Sequence, residues 1–339
     1  MRIAIVGAKG FDCLESNFEE TLSHLGHLAR IFDLDDAIPL VHKICGQAMY
    51  NILQANYGFS RWVWGKLANK VLDFSPELVI VTYRHVIPEF VQTLKAARKQ
   101  LPVIHVNPDH VGTLRRQYIF MSPYDAYFTK EPFLAKLMKA KLGLNAFYLP
   151  ESFNPRVHKK PDIPKTDYEE TIDVDIVVVA NLQPYRTKFL EQVLGIIGKD
   201  VNIAIYGAPQ PIPWVKTSLY NHHKKKYLIG EEKAKVFYGA KIVLNDMHPA
   251  EFTGVNCRFF EALGSGGFLL NEYRPTLPEL AVPGKEVEIF VSAKEAAEKV
   301  LYFLDHPKER IAIAEAGYRR AMQDHTYEKR IENIFSTIR

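Results

Sequence analysis

Glu251-Phe-Thr-Gly-Val-Asn-Cys-Arg-Phe-Phe-Glu261-Ala-Leu-Gly-Ser-Gly-Gly-Phe-Leu-Leu270 spells out one α/β junction in consecutive residues. Gly254 stands at the mouth of a short helix and Glu261 lies within it. Gly264, Gly266 and Gly267 stop the helix, and Phe268–Leu270 starts an apolar strand. A helix N-terminus presents unpaired backbone N–H groups and the positive end of a dipole, which suits a diphosphate. A carboxylate near that end can accept hydrogen bonds from ribose hydroxyls. The stretch therefore predicts a nucleoside diphosphate site, with Glu261 reading the ribose.

Working outward, the same strand-and-helix grammar runs along the chain. Short apolar runs at Ile3–Val6, Ala29–Phe32, Leu78–Val81 and Val103–Val106 read as buried parallel strands. Helical spacing separates them, from about Ser16 and again over Phe90–Ala97. The segment Lys159-Lys-Pro-Asp-Ile-Pro-Lys-Thr-Asp-Tyr-Glu-Glu170 is charged and carries prolines, which marks a domain linker. The pattern then restarts with strands at Ile176–Val179, Ile203–Tyr206, Ile242–Leu244 and Phe268–Leu270. Helices are expected over Phe189–Ile197, Lys233–Tyr238, Ala296–Leu304, Arg310–Met322 and Tyr327–Ile338. Ser292-Ala-Lys-Glu295 is a capping box. Alternation of this kind predicts doubly wound α/β domains, and 339 residues exceed what one core usually serves.

Composition narrows the class. Hydrophobic residues make up 47% and charged residues 24%, as in ordinary globular proteins. A net charge of +4 gives no ground for nucleic-acid binding but suits an anionic small ligand. Three cysteines, Cys13, Cys45 and Cys257, fit neither a disulfide framework nor a zinc site and point to a reducing compartment. The N-terminal apolar run is too short for a signal peptide, so a cytoplasmic location is expected.

In open α/β sheets ligands sit at the carboxyl ends of strands. Four such turns in the second half carry suitable groups. Arg186 and Lys188 follow the Ile176–Val179 strand and could neutralise a diphosphate, or simply begin a solvated helix. Tyr206-Gly207 could admit a base or form an ordinary turn. Asn245-Asp-Met-His248 ends the third strand, and Gly254, Val255 and Asn256 open the motif helix.

At this point the residues resemble a known family. Gly254-Val-Asn-x-Arg-x-Phe-Glu261-Ala-Leu-Gly-Ser-Gly-Gly-Phe-Leu-Leu270 is similar to the donor-site signature of glycosyltransferases related to the spore-maturation CgeB-like proteins, of the group-1, GT-B type. The resemblance continues through Tyr227-Leu-Ile-Gly230, Ile242-Val-Leu-Asn245, His306-Pro-Lys-Glu-Arg310, Ala314-Glu-Ala-Gly317 and His325-Thr-Tyr-x-x-Arg330. In the first half it is carried by Pro76-Glu-Leu-Val-Ile-Val81, Tyr124-Asp125 and Tyr148-Leu-Pro150. It implies two Rossmann-like doubly wound domains facing a cleft: residues 1–160 for the acceptor and 171–322 for the nucleotide sugar. A last helix, 323–339, would pack back on the first domain, and domain closure would complete the site.

The implied activity is metal-independent, hexosyltransferase-like transfer from a UDP-, GDP- or dTDP-sugar, with no other cofactor. The acceptor would be a glycan, a glycoconjugate or a small molecule. Glu261 would hold the ribose, and Tyr206, Gly207 and the Tyr227–Gly230 loop would line the base. Asn245, His248, Arg186, Lys188 and the Gly254–Asn256 turn would complete the donor site. Many relatives carry two glutamates eight residues apart. Here Thr253 occupies the earlier position, and Glu251 lies two residues too far back. Glu251 or the backbone of Gly254–Asn256 would then serve the donor sugar. The candidate groups for orienting or deprotonating the acceptor are Glu15, Asp109 and His110, although the last two could equally shape a turn after Pro108.

Several features compete with this reading. Gly7-Ala-Lys-Gly10, with Asp33 ending the second strand, would suit an NAD-type oxidoreductase, but G-x-G-x-x-G spacing is absent. A non-catalytic nucleotide-sugar-binding protein on the same fold is the other alternative. Asp33-Leu-Asp35 and Asp173-Val-Asp175 fit a metal-binding D-x-D pattern and are read as surface turns. Arg61-Trp-Val-Trp-Gly-Lys66 suits peripheral membrane contact, glycan stacking or core packing, and His222-His-Lys-Lys-Lys226 a solvated loop.

Overall fold

The computed structural model describes residues 1–39, 51–110, 115–208 and 217–338; Cys45 and the end of the 107–112 segment lie outside them. The chain divides into two compact units, Met1–Pro150 with Arg330–Arg339, and Glu151–Lys329. Both are Rossmann-like α/β units on fully parallel sheets.

The first sheet has six strands in the order β2-β1-β3-β4-β5-β6. These are β1 (Arg2–Val6), β2 (Leu28–Phe32), β3 (Leu78–Val81), β4 (Val103–Asn107), β5 (Ala126–Thr129) and β6 (Ala146–Tyr148). Strands β3 and β4 are buried along their whole length, which explains the unbroken apolar run of β3 and the largely apolar one of β4, interrupted by His105. Helices Leu14–His24, Tyr57–Asp73, Pro88–Ala97 and Pro132–Leu142 accompany them. Proline at the first turn of the last two sits where no backbone donor is needed. Strands β5 and β6 carry no long aliphatic run, and the sequence pattern missed them.

The Trp pair separates. Trp64 is fully buried against Tyr83 and Phe90, at 6.0 and 5.7 Å between ring centroids. Trp62 is exposed and stacks under the Lys66 ammonium at 4.1 Å.

The second sheet has the order β11-β10-β9-β7-β8. Its strands are β7 (Ile176–Val179), β8 (Ile203–Tyr206), β9 (Ile242–Asn245), β10 (Leu269–Glu272) and β11 (Glu288–Phe290). Helices Pro184–Ile197 and Ala293–Asp305 pack on one another, as do Cys257–Gly264 and Pro307–Asp324. Residues 159–170 are not a linker: they lie inside this unit, and Lys165–Ile172 form a helix. Burial of Lys165 and Glu169 explains why that polar segment is ordered. Lys165 donates to the carbonyls of Tyr238 and Ala240, and Arg310 donates to that of Phe303. The two cations thus cap the ends of helices Gly230–Gly239 and Ala293–Asp305, and they share Glu169.

Of the two Asp-x-Asp pairs, the second begins at an exposed turn as expected and the first does not. Asp33 is buried and caps a helical turn, accepting from Leu34 N at 2.5 Å, Lys9 N at 3.0 Å and the Tyr83 hydroxyl. Asp173 takes a left-handed φ of 49° to end helix Lys165–Ile172. Asp175 binds Lys241 Nζ at 2.7 Å and Asn202 N at 2.8 Å.

His105, in β4, is fully buried, and burial pushes its pKa from 6.5 to about 3. The unfolded chain therefore binds a proton below pH 6.5 that the folded unit refuses. Stability is lost as pH falls through 6.5 towards 3, by about 2 kcal/mol from this residue at pH 5. His105→Gln is expected to shrink the drop in melting temperature between pH 7 and pH 5. An equal drop in both proteins would refute this origin.

Candidate functional site

Strand order reverses between β7 and β9, which places a crevice at the carboxyl ends of those strands. Asn245 ends β9 there, buried. Its Nδ2 donates to Asn256 Oδ1 at 3.1 Å and to Asn271 Oδ1 at 2.7 Å. Its Oδ1 accepts from Arg258 Nε at 3.1 Å and Asn256 Nδ2 at 3.4 Å. Arg258 also donates to the carbonyl of Val179, the last residue of β7, at 3.0 Å. One guanidinium thus bridges the two strands at the reversal.

The motif helix begins later than the sequence suggested. It spans Cys257–Gly264, and Asn256 is its N-cap, accepting from Phe259 N at 3.3 Å. Gly254 and Val255 precede it as buried loop residues. Glu251, also buried, accepts from His248 N at 3.0 Å, and its carbonyl accepts from Arg274 Nε at 2.7 Å. Its carboxylate braces its own loop. His248 is exposed, and its Nδ1 accepts from Ala250 N at 3.1 Å.

Glu261 lies one turn into the helix and is buried. Its Oε1 accepts from Lys233 Nζ at 2.9 Å, with His158 Nε2 at 3.8 Å. Its Oε2 is buried without a hydrogen-bond partner among the described residues. An orphaned carboxylate oxygen at that depth is costly unless a ligand donates to it. Cys257 lies nearby; burial, and after it Glu261, pushes its thiol pKa up, which keeps it protonated and unreactive.

Arg186 and Lys188 stand in different settings. Arg186 is buried in helix Pro184–Ile197, where its Nε donates to Asp246 Oδ1 at 2.5 Å and its Nη1 to the carbonyl of Asn181 at 2.6 Å. A helix start after β7 aims it under the sheet rim, where Asp246 requires a cation. Lys188, two residues on, is exposed. Tyr206 ends β8, and burial, then Glu232, raises its phenol pKa. Gly207 is required: a Cβ there would lie 2.5 Å from the carbonyl oxygen of Ala180.

The first unit's candidates are spread. Strand order also reverses between β1 and β3. There Glu15 accepts from the Thr82 hydroxyl at 2.5 Å and sits over Gly7, where any Cβ would collide with both. Asp109 pairs with Arg84 at 2.6 Å, and its backbone closes an Asx turn with Asn107. His110 is half-buried beside it.

Sequence reasoning missed Arg258, Lys233, Asp246 and Asn271 as site residues. Arg258 stood inside the quoted motif, and a polar residue one turn before Glu261 was the available signal. Asp246 stood within the quoted Asn245–His248 turn, while Lys233 and Asn271 meet the site only through the fold.

Residues 186–336 match the family of glycosyl transferase-like proteins. Among curated proteins, none matches this sequence. Solved structures share the fold across the whole chain. Sucrose-phosphate synthase from Thermosynechococcus elongatus has a TM-score of 0.69 at 13% identity, covering 99% of this chain and 98% of its own. Anabaena HepE, solved in complex with UDP-glucose, has a TM-score of 0.69 at 12% identity, covering 100% and 99%. A glycosyltransferase from Rickettsia africae has a TM-score of 0.68 at 11% identity, covering 99% and 97%. The two units therefore have the fold of GT-B glycosyltransferases. No helix among the described residues is long and apolar enough to cross a membrane.

The Arg186–Asp246 pair makes a firm prediction. Asp246→Ala leaves a buried guanidinium unpaired and is expected to cost about 3–5 kcal/mol, read as a lower urea midpoint at unchanged slope. Arg186→Met with Asp246→Leu should recover most of that loss. A single-variant cost below about 1 kcal/mol would mean the pair is solvated.

Proposed function

We propose that the chain is a glycosyltransferase that moves a sugar from a nucleoside diphosphate to an acceptor hydroxyl, with hexosyl transfer from a UDP-sugar as the specific reading. One observation carries it: Arg258 bridges β7 and β9 at the strand-order reversal, in the same helix as the orphaned Glu261 carboxylate oxygen. That is the arrangement a ribose and a diphosphate ask for, and it lies within the stretch matched by the glycosyl transferase-like family. The UDP-glucose in the HepE structure supports the choice of nucleotide. The CgeB-like resemblance is the finer form of the same reading.

Transfer breaks the bond between an anomeric carbon and a diphosphate through an oxocarbenium-like transition state. Negative charge grows on the leaving diphosphate. Arg258, Lys188 and the backbone of Gly254, Val255 and Asn256 are the groups proposed to receive it. These groups make a metal ion unnecessary. Arg186 serves indirectly, holding Asp246 and the rim of β9. Lys233 fixes Glu261 so that Oε2 accepts from a ribose hydroxyl, and Tyr206 with Gly207 borders the base. His248 stays at the exposed end of the β9 loop. The first unit is proposed for the acceptor. Glu15, at its strand-order reversal, is the first candidate; Asp109, paired with Arg84, and His110 beside it are the others.

Calorimetric titration with UDP, GDP, dTDP and NADH tests the reading. A nucleoside diphosphate should bind, and Arg258→Ala and Glu261→Ala should each weaken it at least tenfold. A ligand at a hundredfold over its dissociation constant should raise stability by about 2.7 kcal/mol. Binding of NADH alone would favour the oxidoreductase. Wild-type binding by both variants would refute the donor assignment. Hydrolysis of the bound sugar nucleotide would separate an enzyme from a sensor.

A further inference from the structure

A hollow of about 220 Å³ opens at the carboxyl ends of β10 and β11. Tyr185, Lys188, Phe189 and Gln192 of helix Pro184–Ile197 form one wall, and Glu272 and Ser292 stand on the others. Its floor is apolar: Phe189 and Phe290 stack at 5.3 Å between centroids, with their planes 13° apart.

Two of the polar groups, Glu272 and Ser292, are held by hydrogen bonds. Glu272 receives Met247 N and Arg274 Nη1, each at 2.8 Å. Ser292 is the N-cap of helix Ala293–Asp305 and accepts from Glu295 N at 3.2 Å. Tyr185 is half-exposed, and burial, then the charge of Glu272, raises its pKa, so it stays a hydroxyl donor at neutral pH.

The chemistry of this lining selects its ligand. An inorganic anion would meet Lys188 but also Glu272. A purely apolar molecule would leave five hydrogen-bonding side chains without partners from the ligand. A ring bearing hydroxyls around its rim and an apolar face satisfies both walls and floor. Its hydroxyls donate to Glu272, Gln192 and Ser292 and accept from Lys188 and Tyr185, while its C–H face lies on aromatic carbon.

We propose that this hollow is a monosaccharide-ring subsite, recognising a neutral pyranose through Gln192, Glu272, Ser292 and Lys188. The proposal rests on the reading that this unit handles a nucleotide sugar only in naming the ring's source. Lys188, the exposed cation beyond Arg186, is shared by the hollow and the proposed diphosphate site. The ring is therefore either the donor's own sugar or the terminal sugar of a glycan acceptor.

Gln192 is exposed on its helix, so substitution there leaves the core intact. Gln192→Trp fills the hollow, and Gln192→Leu removes its amide without filling it. Three measurements are made on wild type and both variants: calorimetric affinity for UDP, calorimetric affinity for UDP-glucose and UDP-N-acetylglucosamine, and saturation-transfer NMR with methyl glucoside, methyl mannoside and methyl N-acetylglucosaminide. If the ring is the donor's, wild type binds one UDP-sugar more tightly than UDP. Gln192→Trp then loses at least tenfold of that advantage while UDP affinity is unchanged. If the ring belongs to an acceptor, one methyl glycoside shows saturation transfer in wild type, loses it in Gln192→Trp and weakens in Gln192→Leu, with UDP-sugar affinity unchanged. The proposal is overturned if the variants alter neither the UDP-sugar advantage nor any glycoside signal, or if wild type shows neither. Failure of UDP to bind wild type counts against the donor reading alone, because the glycoside experiment needs no nucleotide.

Discussion

The side-chain amide of Asn245 ties the strand ends of the second sheet together. Both of its N–H groups are donated and its oxygen accepts twice, so its hydrogen-bonding capacity is fully used in a buried position. The partners come from different elements: Asn256 caps the motif helix, Asn271 belongs to β10, and Arg258 reaches β7 through the Val179 carbonyl. An aspartate could not donate to Asn256 and Asn271, and a leucine would lose all four hydrogen bonds to the three partners. The network fixes where the motif helix starts, and hence where Arg258 and Glu261 stand. In a buried polar network every member depends on the rest being satisfied.

Around this knot the second unit keeps its buried charges in pairs. Arg186 meets Asp246, Lys233 meets Glu261, and Arg310 with Lys165 meets Glu169. The third group lies among helix ends and does a structural job, since both cations also satisfy terminal carbonyls. The first two lie at the carboxyl rim of the sheet; each leaves one carboxylate oxygen without a hydrogen bond, Asp246 Oδ2 and Glu261 Oε2, as the third group does at Glu169 Oε1.

Much of the fold was legible because a parallel strand buried on both faces must be apolar throughout. Leu78–Val81, Ile176–Val179 and Ile203–Tyr206 are found at the residues their runs predict. Strands β5, β6 and β11 escaped because Ala126–Thr129, Ala146–Tyr148 and Glu288–Phe290 are short and mixed in character; pairing with a neighbour makes them strands. The charged 159–170 segment misled for the opposite reason. Its polar residues are buried by partners far along the chain, 75 residues away in the bond from Lys165 to Ala240 and 141 in that from Arg310 to Glu169. At the site, Glu261 and the Gly254–Asn256 turn could be found by local spacing. Lys233 could not, because only the fold brings it to Glu261.

The two units share one strand order at their reversal points yet carry different chemistry there. In the first, Asp33 is buried at the end of β2, Glu15 sits over Gly7, and Lys9 is neutralised by Asp36. In the second, Arg258 and Lys188 stand at one rim beside the neutralised pairs Arg186–Asp246 and Lys233–Glu261. A diphosphate in the first setting would face carboxylates, whereas in the second it would face guanidinium and ammonium groups. A hydroxyl acceptor has the reverse requirement, since it needs a carboxylate to take or orient its proton and gains nothing from a cation. Topology supplies two equivalent crevices, and the charges at them differ in the direction the proposed reaction would need.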